Sequence, residues 1–244
     1  MRLYSDLAEW FHLLTAPADY AEEAAEIVRL AERHGQGELR TLLELGCGGG
    51  NNASHLKARF ACTLTDVSEE MLAVSRGLNP ECEHVAGDMR ALRLGRSFDV
   101  VLAHDAVSYM TSAADLRAAF ETAFVHTRPG GVAIFLPDWT RETLVEGTRT
   151  GGHDGEGRAL RYLEWVRDPD PADTTYEVDY LVGLREGDEP LRVVHDHHLE
   201  GVFGRDEWVA WLEECGFDVA VERVDVEDAP GWTAFVGRRS LESP

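Results

Sequence analysis

Three acidic residues stand at intervals in the first ninety positions, each next to bare backbone or at the end of an apolar run. Glu44 opens Glu44-Leu45-Gly46-Cys47-Gly48-Gly49-Gly50, Asp66 closes Ala61-Cys62-Thr63-Leu64-Thr65-Asp66, and Asp88 follows Gly87. Glycine accepts φ > 0 and lets another molecule approach the main chain. An ionised Asp66 can accept two hydroxyl hydrogen bonds, each worth roughly 1.5–3 kcal/mol. It lies twenty residues beyond Gly46, where a carboxylate reaches ribose hydroxyls in open α/β sheets. A second group is Val194-His195-Asp196-His197-His198, in which residues 195 and 197 share one face of a strand. Two such histidines with nearby carboxylates could ligate a metal. The expectation is instead that no metal is bound, one face of this strand lining a pocket and the other being solvated.

Elements must bring these residues together. Leu3, Leu7, Trp10, Phe11 and Leu14 are spaced as in a helix ending at Pro17. Asp19 with Glu22 reads as a capping box for a helix whose face is Ala24, Ile27, Val28 and Ala31, stopped by Gly35. Strands are predicted at 41–45, 61–66, 82–86, 98–103 and 132–136, with helices at 52–59, 68–78 and 113–126 between them; Ser68 and Ser112 are N-caps. Strictly alternating strands and helices imply a parallel sheet with helices on both faces. Near residue 150 the rhythm changes. Gly151 to Gly157 reads as a loop, followed by three antiparallel strands at 159–167, 175–186 and 191–203. A helix around Trp208–Cys215 and strands at 217–225 and 232–238 complete the chain. The expected fold is α/β, a Rossmann-like seven-stranded mostly parallel sheet plus a small antiparallel β insert. Residues 1–150 and 204–240 form the body, and 151–203 form an insert covering the acceptor site.

The spacing Glu44-x-Gly46-x-Gly48-x-Gly50, the run Thr65-Asp66-Val67-Ser68-Glu69-Glu70-Met71-Leu72, and Gly87-Asp88-Met89 together resemble the motifs of class I S-adenosylmethionine (SAM)-dependent methyltransferases. That resemblance implies SAM as cofactor and S-adenosylhomocysteine as product. It implies a cofactor site of Glu44, Gly46, Cys47, Gly48, Asn52, Asp66, Val67, Met71, Asp88, Met89 and His104, with Asp88 and the Met89 N–H on the adenine. A looser resemblance runs to N-methyltransferases of nucleotide-linked amino sugars, carried by Ala18-Asp19-Tyr20-Ala21-Glu22-Glu23, the insert and His198-Leu199-Glu200-Gly201-Val202-Phe203. It implies that Tyr20 meets the carboxylate end of SAM. Those sugar enzymes carry a histidine where this chain has Tyr109. The catalytic candidates are His104, Tyr109 and His197, with Asp105 and Asp138 as further possible bases. The expected reaction is methyl transfer to N or O of a small molecule.

Composition narrows the alternatives. A net charge of −22 without a basic patch opposes nucleic acid and anionic membranes as partners. Lys57 is the only lysine and lies outside any Gly-Lys-Ser/Thr motif, which disfavours P-loop, Schiff-base and pyridoxal chemistry. Cys47, Cys62, Cys82 and Cys215 show no C-x-x-C spacing. No apolar run approaches the ~18 residues of a membrane span, and the N-terminus lacks signal-peptide character. A cytoplasmic monomer or homodimer acting on a small-molecule acceptor is expected. A non-catalytic SAM-binding protein and an NAD-dependent oxidoreductase stay open, although Asn51 stands where a dinucleotide fingerprint needs its third glycine.

Overall fold

A computed structural model describes residues 1–224 and 231–241. The parallel strands are β1 (Thr41–Leu45), β2 (Ala61–Asp66), β3 (Glu83–Ala86), β4 (Phe98–His104) and β5 (Thr127–Leu136). Next come β6 (Gly147–Gly151), β7 (Arg158–Arg167), β8 (Thr175–Glu186) and β9 (Arg192–Gly201), then β10 (Phe217–Val224) and β11 (Trp232–Arg239). The main sheet has seven strands in the order β10-β11-β5-β4-β1-β2-β3; only β11 runs antiparallel to its neighbours. The expected seven-stranded, mostly parallel sheet is therefore observed. Asp225, the last residue of the strand expected at 217–225, lies outside the described residues.

Helices cover both faces. α2 (Ala21–His34), α3 (Asn51–Leu56) and α4 (Glu69–Leu78) bury Ile27, Leu30, Leu56 and Leu72 against Leu42, Leu64, Val100 and Ile134. α5 (Ala113–His126) and α6 (Arg205–Glu214) bury Leu116, Phe120, Trp208 and Leu212 against Leu43, Val101 and Phe135. Each such aliphatic side chain contributes about 1.5–3 kcal/mol on burial, so the strand ends that carry the site rest on a rigid base. Ser68 and Ser112 cap α4 and α5 through the Met71 and Asp115 N–H groups. Asp99 ties β4 to the start of β1. Its Oδ2 accepts the Arg40 N–H, the Thr41 N–H and the Thr41 hydroxyl, each at 2.8 Å.

Three local expectations differ. Asp19 caps a 3-10 turn (Pro17–Tyr20) by accepting the Ala16 N–H at 3.1 Å, and α2 begins at Ala21. Pro17 starts that turn because its fixed φ suits a first helical position. Residues 2–14 form two 3-10 turns and a four-residue helix, α1 (Phe11–Leu14), rather than one helix. Leu3, Leu7 and Trp10 pack against Leu160, Val182 and Val194 of the second sheet. That sheet is antiparallel with order β6-β7-β8-β9, and its first strand falls before the three expected. Among the described residues no helix is long and apolar enough to cross a membrane.

Candidate active site

The carboxyl ends of β1, β2 and β4 open into a cavity of about 500 Å³, roofed by the inward faces of β7, β8 and β9 and closed at one side by Met1 and Tyr4. This volume is within the range of small-molecule and cofactor sites. One half is built from the turns that follow parallel strands. Gly46, Gly48 and Gly50 have φ of 76°, 50° and 79°, and a Cβ on Gly46 would fall 2.3 Å from the Ala106 Cβ. Asp66 organises the turn: its two oxygens accept the Gly48 and Ser68 N–H groups, both at 2.9 Å. Asp88 instead spends part of its carboxylate on the Arg90 guanidinium, with Oδ1 and Oδ2 each 3.0 Å from Nε.

Of the residues expected to bind cofactor, Tyr20, Glu44, Gly46, Cys47, Gly48, Asn52, Asp66, Val67, Met71, Asp88, Met89 and His104 all line the cavity. Whether a SAM-like group fits can be judged from unpartnered atoms. Glu44 Oε2, Asn51 Oδ1 and Asn52 Oδ1 are buried acceptors with no hydrogen-bond partner, and all three residues face the cavity. Leaving such acceptors unmet costs about 1–3 kcal/mol each; an ammonium group supplies the missing donors. Burial pushes the Glu44 carboxyl up to about 8, with Glu23 and Asp66 adding to the shift and His104 opposing it. The amino-acid end of SAM therefore fits this half.

His104 ends β4 with both ring nitrogens engaged: Nε2 is 3.0 Å from Glu23 Oε1 and Nδ1 is 3.1 Å from Asp105 Oδ2. Burial works against a charged ring, but Asp105 and Glu23 overcome it and hold the pKa well above the usual histidine value. Held by ion pairs at both nitrogens, the His104 ring is fixed between Glu23 and Asp105 at the end of β4. Asp105 has φ 40°, ψ −54°, a conformation that costs a non-glycine residue about 1–3 kcal/mol and collects at functional sites.

The other half is aromatic and acidic. Alternation aims Tyr162, Glu164 and Val166 of β7, Tyr176, Val178 and Tyr180 of β8, and Glu200 of β9 inward, facing Asp138 and Trp139 beyond β5. Burial raises the Glu200 carboxyl to about 7, although the Tyr176 hydroxyl donates to it. Burial, Asp105 and Glu200 push Asp138 well above the ordinary carboxylate range. Tyr109 lines the cavity, but His197 does not. His197 lies on the outer face of β9, its Nδ1 3.1 Å from Asp179 Oδ1, beside His195 at 2.7 Å from the same oxygen. The inward parity belongs to Val194, Asp196, His198 and Glu200, all buried. Sequence missed this because Val193 and Leu199 make the outer face as apolar as the inner one. Of the nearby aromatics, Trp139, Tyr162 and Tyr180 line the cavity, whereas Trp165 is exposed beneath Arg167.

A methyltransferase-domain family matches residues 42–131, from β1 into β5. The dTDP-3-amino-3,4,6-trideoxy-alpha-D-glucopyranose N,N-dimethyltransferase of Streptomyces venezuelae is 32% identical over 241 residues, spanning 96% of this chain and 97% of that one. The chain belongs to the class I SAM-dependent methyltransferases. The structure of Streptomyces venezuelae DesVI superposes with a TM-score of 0.83 at 28% identity, covering 97% of this chain and 98% of that one. SAM-bound CalS10, an amino pentose methyltransferase from Micromonospora echinaspora, gives 0.76 at 26% identity, with 91% and 92% covered. This methyltransferase uses SAM and transfers its methyl group to a small molecule; the oxidoreductase and non-catalytic alternatives are set aside.

Proposed function

We propose that this methyltransferase N-methylates the amino group of a nucleotide-linked amino sugar. The observation that carries this reading is the acceptor half of the cavity. Glu200 is a buried and Asp138 a half-buried carboxyl group, and their repulsion and desolvation are relieved by a cation. A sugar hydroxyl offers no such charge; a sugar ammonium does. The named acceptor of the Streptomyces venezuelae relative carries an amino group.

Residues 1–150 with 204–240 would bind SAM, and 151–203 would cover the acceptor. Glu44 and Asn52 would receive the ammonium of SAM, with Tyr20 near its carboxylate. Gly46, Cys47 and Gly48 leave room for the methionine portion. Asp66 and Val67 would flank the ribose, with Met71 packed behind the turn, and Asp88 and Met89 would meet the adenine. SAM supplies an activated methyl on a sulfonium; the protein aligns the acceptor nitrogen with it and excludes water, which can contribute many kcal/mol. Glu200 and Asp138 hold the acceptor as its ammonium. An ammonium has no lone pair, so it must lose a proton before attack. In this reading the enzyme works in the cytoplasm, as a monomer or homodimer, without nucleic acid or membrane, consistent with its net charge of −22.

The test is incubation with SAM and a dTDP-linked 3-amino-3,6-dideoxyhexose. S-adenosylhomocysteine release and a mass gain of one or two methyl groups on nitrogen are expected. Turnover of the matching 3-hydroxy sugar with none of the amino sugar would sink the reading.

A further inference from the structure

A line of hydrogen bonds leaves the acceptor half of the cavity and runs into buried structure. The Tyr4 hydroxyl, at the cavity wall, is 2.9 Å from the Tyr109 hydroxyl. Tyr109 Oη is 2.8 Å from His198 Nδ1, and His198 Nε2 is 3.0 Å from Asp196 Oδ2. The same Asp196 oxygen accepts the Leu3 N–H at 2.8 Å. His198 is wholly buried, and neither it nor Asp196 has a part in holding SAM.

The direction of the line follows from its partners. Burial opposes charge on Asp196, yet the Leu3 and Arg2 N–H groups and His198 hold its pKa below the usual value. An ionised carboxylate only accepts, so His198 carries its proton on Nε2. Burial lowers the His198 pKa, outweighing the pull of Asp196, and leaves the ring neutral with a lone pair on Nδ1. In this tautomer the Tyr109 hydroxyl, which also faces Glu200, is set to donate to His198 and so to accept from Tyr4. The Tyr4 oxygen keeps a lone pair for the cavity.

We propose that Tyr4, Tyr109 and His198 relay the proton of the acceptor amine out of the cavity, with Asp196 as the positioning residue that sets the required tautomer. The acceptor N–H bond breaks and its proton passes to Tyr4. The Tyr4 proton moves to Tyr109, and the Tyr109 proton moves to His198 Nδ1, giving an imidazolium beside the Asp196 carboxylate. The freed nitrogen pair forms the new N–C bond as the S–C bond breaks, and the sulfur keeps that electron pair. Other groups face His198. Glu200 lies 4.0 Å from Nδ1, Tyr180 of β8 packs its ring at 5.0 Å, and Tyr4 and Tyr109 pack at 5.6 and 5.8 Å. The positive charges of the amino terminus and of His197, when protonated, disfavour an imidazolium here. Because the relay starts from neutral His198, kcat falls as pH drops through the His198 pKa, below the usual histidine value.

Asp196→Asn tests the charge beside the ring. One Asp196 oxygen accepts both the Leu3 N–H and the His198 Nε2–H, so an amide oxygen in its place keeps both hydrogen bonds but removes the negative charge that stabilises the imidazolium formed by the relay. The expected result is a loss of at least about tenfold in kcat, the scale of general acid–base catalysis, with acceptor KM and S-adenosylhomocysteine affinity little changed. The acid limb of the kcat–pH profile and the solvent deuterium isotope effect should change with it. Tyr109→Phe should cost as much, and the double variant no more than either single one, because the residues act as a unit. Wild-type kcat and pH profile in Asp196→Asn, or costs that multiply, overturn the relay. If Asp196→Asn does not fold, Tyr109→Phe decides, since it removes only the hydroxyl and full activity there overturns the relay. The relay rests on the amine reading. Absence of amine methylation by the wild-type enzyme fails that reading, whereas full activity of the variants fails only the relay.

Discussion

The two halves of the cavity are built by opposite means. The SAM half is made of backbone: three strands of one parallel sheet each end in a turn, and the glycines at 46, 48 and 50 keep those turns bare. The acceptor half is made of side chains from β7, β8 and β9, from the segment after β5, and from the N-terminal turns. The first half depends on local geometry repeated at successive strand ends. The second depends on which face of each strand turns inward and on residues brought together from distant parts of the chain, such as Leu3 and Asp196, 193 positions apart. A binding site for a constant cofactor can thus be set by conformation, while the site for a particular acceptor is set by composition.

Variants on each side should separate the halves. The largest effect is expected from Gly46→Ala. The left-handed φ costs roughly 1–2 kcal/mol for a residue with a Cβ, and overlap with Ala106 adds about 1–3 kcal/mol. S-adenosylhomocysteine binding should weaken by about a hundredfold, read by equilibrium dialysis. Glu200→Gln removes the charge proposed to hold the acceptor ammonium, a contact worth roughly 1.5–3 kcal/mol. It should raise acceptor KM by tenfold or more while leaving S-adenosylhomocysteine affinity unchanged; a parallel loss of both would erase the division. Asp66→Ala is expected to weaken S-adenosylhomocysteine by at least about tenfold through lost ribose hydrogen bonds, with acceptor KM unaffected.

Smaller effects concern pH and stability. Folded Glu44 and Glu200 hold their protons up to about 8 and about 7, whereas an unfolded glutamate loses its proton near 4.3. Between these values the folded chain binds more protons than the unfolded one, so stability falls as pH rises. Without ligands, Tm should decline from pH 5 to pH 8.5 by several degrees, and Glu44→Gln should flatten the decline. Asp99 has the opposite sign. Burial opposes its charge, but Arg128, Arg40 and Thr41 hold it down to about 2. Its contribution, about 2 kcal/mol, is present above the unfolded pKa and lost as pH falls towards 2. Asp99→Asn should lower Tm at pH 7 without changing either KM.

The same division governs what the sequence disclosed. Glu44, Gly46, Gly48, Asp66 and Asp88 were legible because a turn that needs φ > 0 names its glycines, and a strand end names its carboxylate. His197 was chosen over His198 because parity on β9 depends on what the strand packs against, and apolar residues occur on both of its faces. Neither Glu164 nor Glu200 is among the site residues expected from the sequence, because their inward placement depends on the second sheet folding over the cavity. Strand β6 was hidden by its composition, Gly-Thr-Arg-Thr-Gly, largely exposed and held by pairing with β7. The N-terminal turns looked helical because the spacing of Leu3, Leu7 and Trp10 serves a sheet surface as well as a helix face.

Glu44 has one further consequence, in the heat of binding. A carboxyl that keeps its proton up to about 8 is neutral at pH 7, and a cation placed against it favours the charged form. Cofactor capture at neutral pH should therefore expel a proton into the buffer. The apparent enthalpy should differ between phosphate and Tris by the difference in their ionisation heats, scaled by the fraction of a proton released. Affinity should rise with pH until Glu44 is already ionised. The enzyme's grip on its methyl donor then varies with the alkalinity of its surroundings.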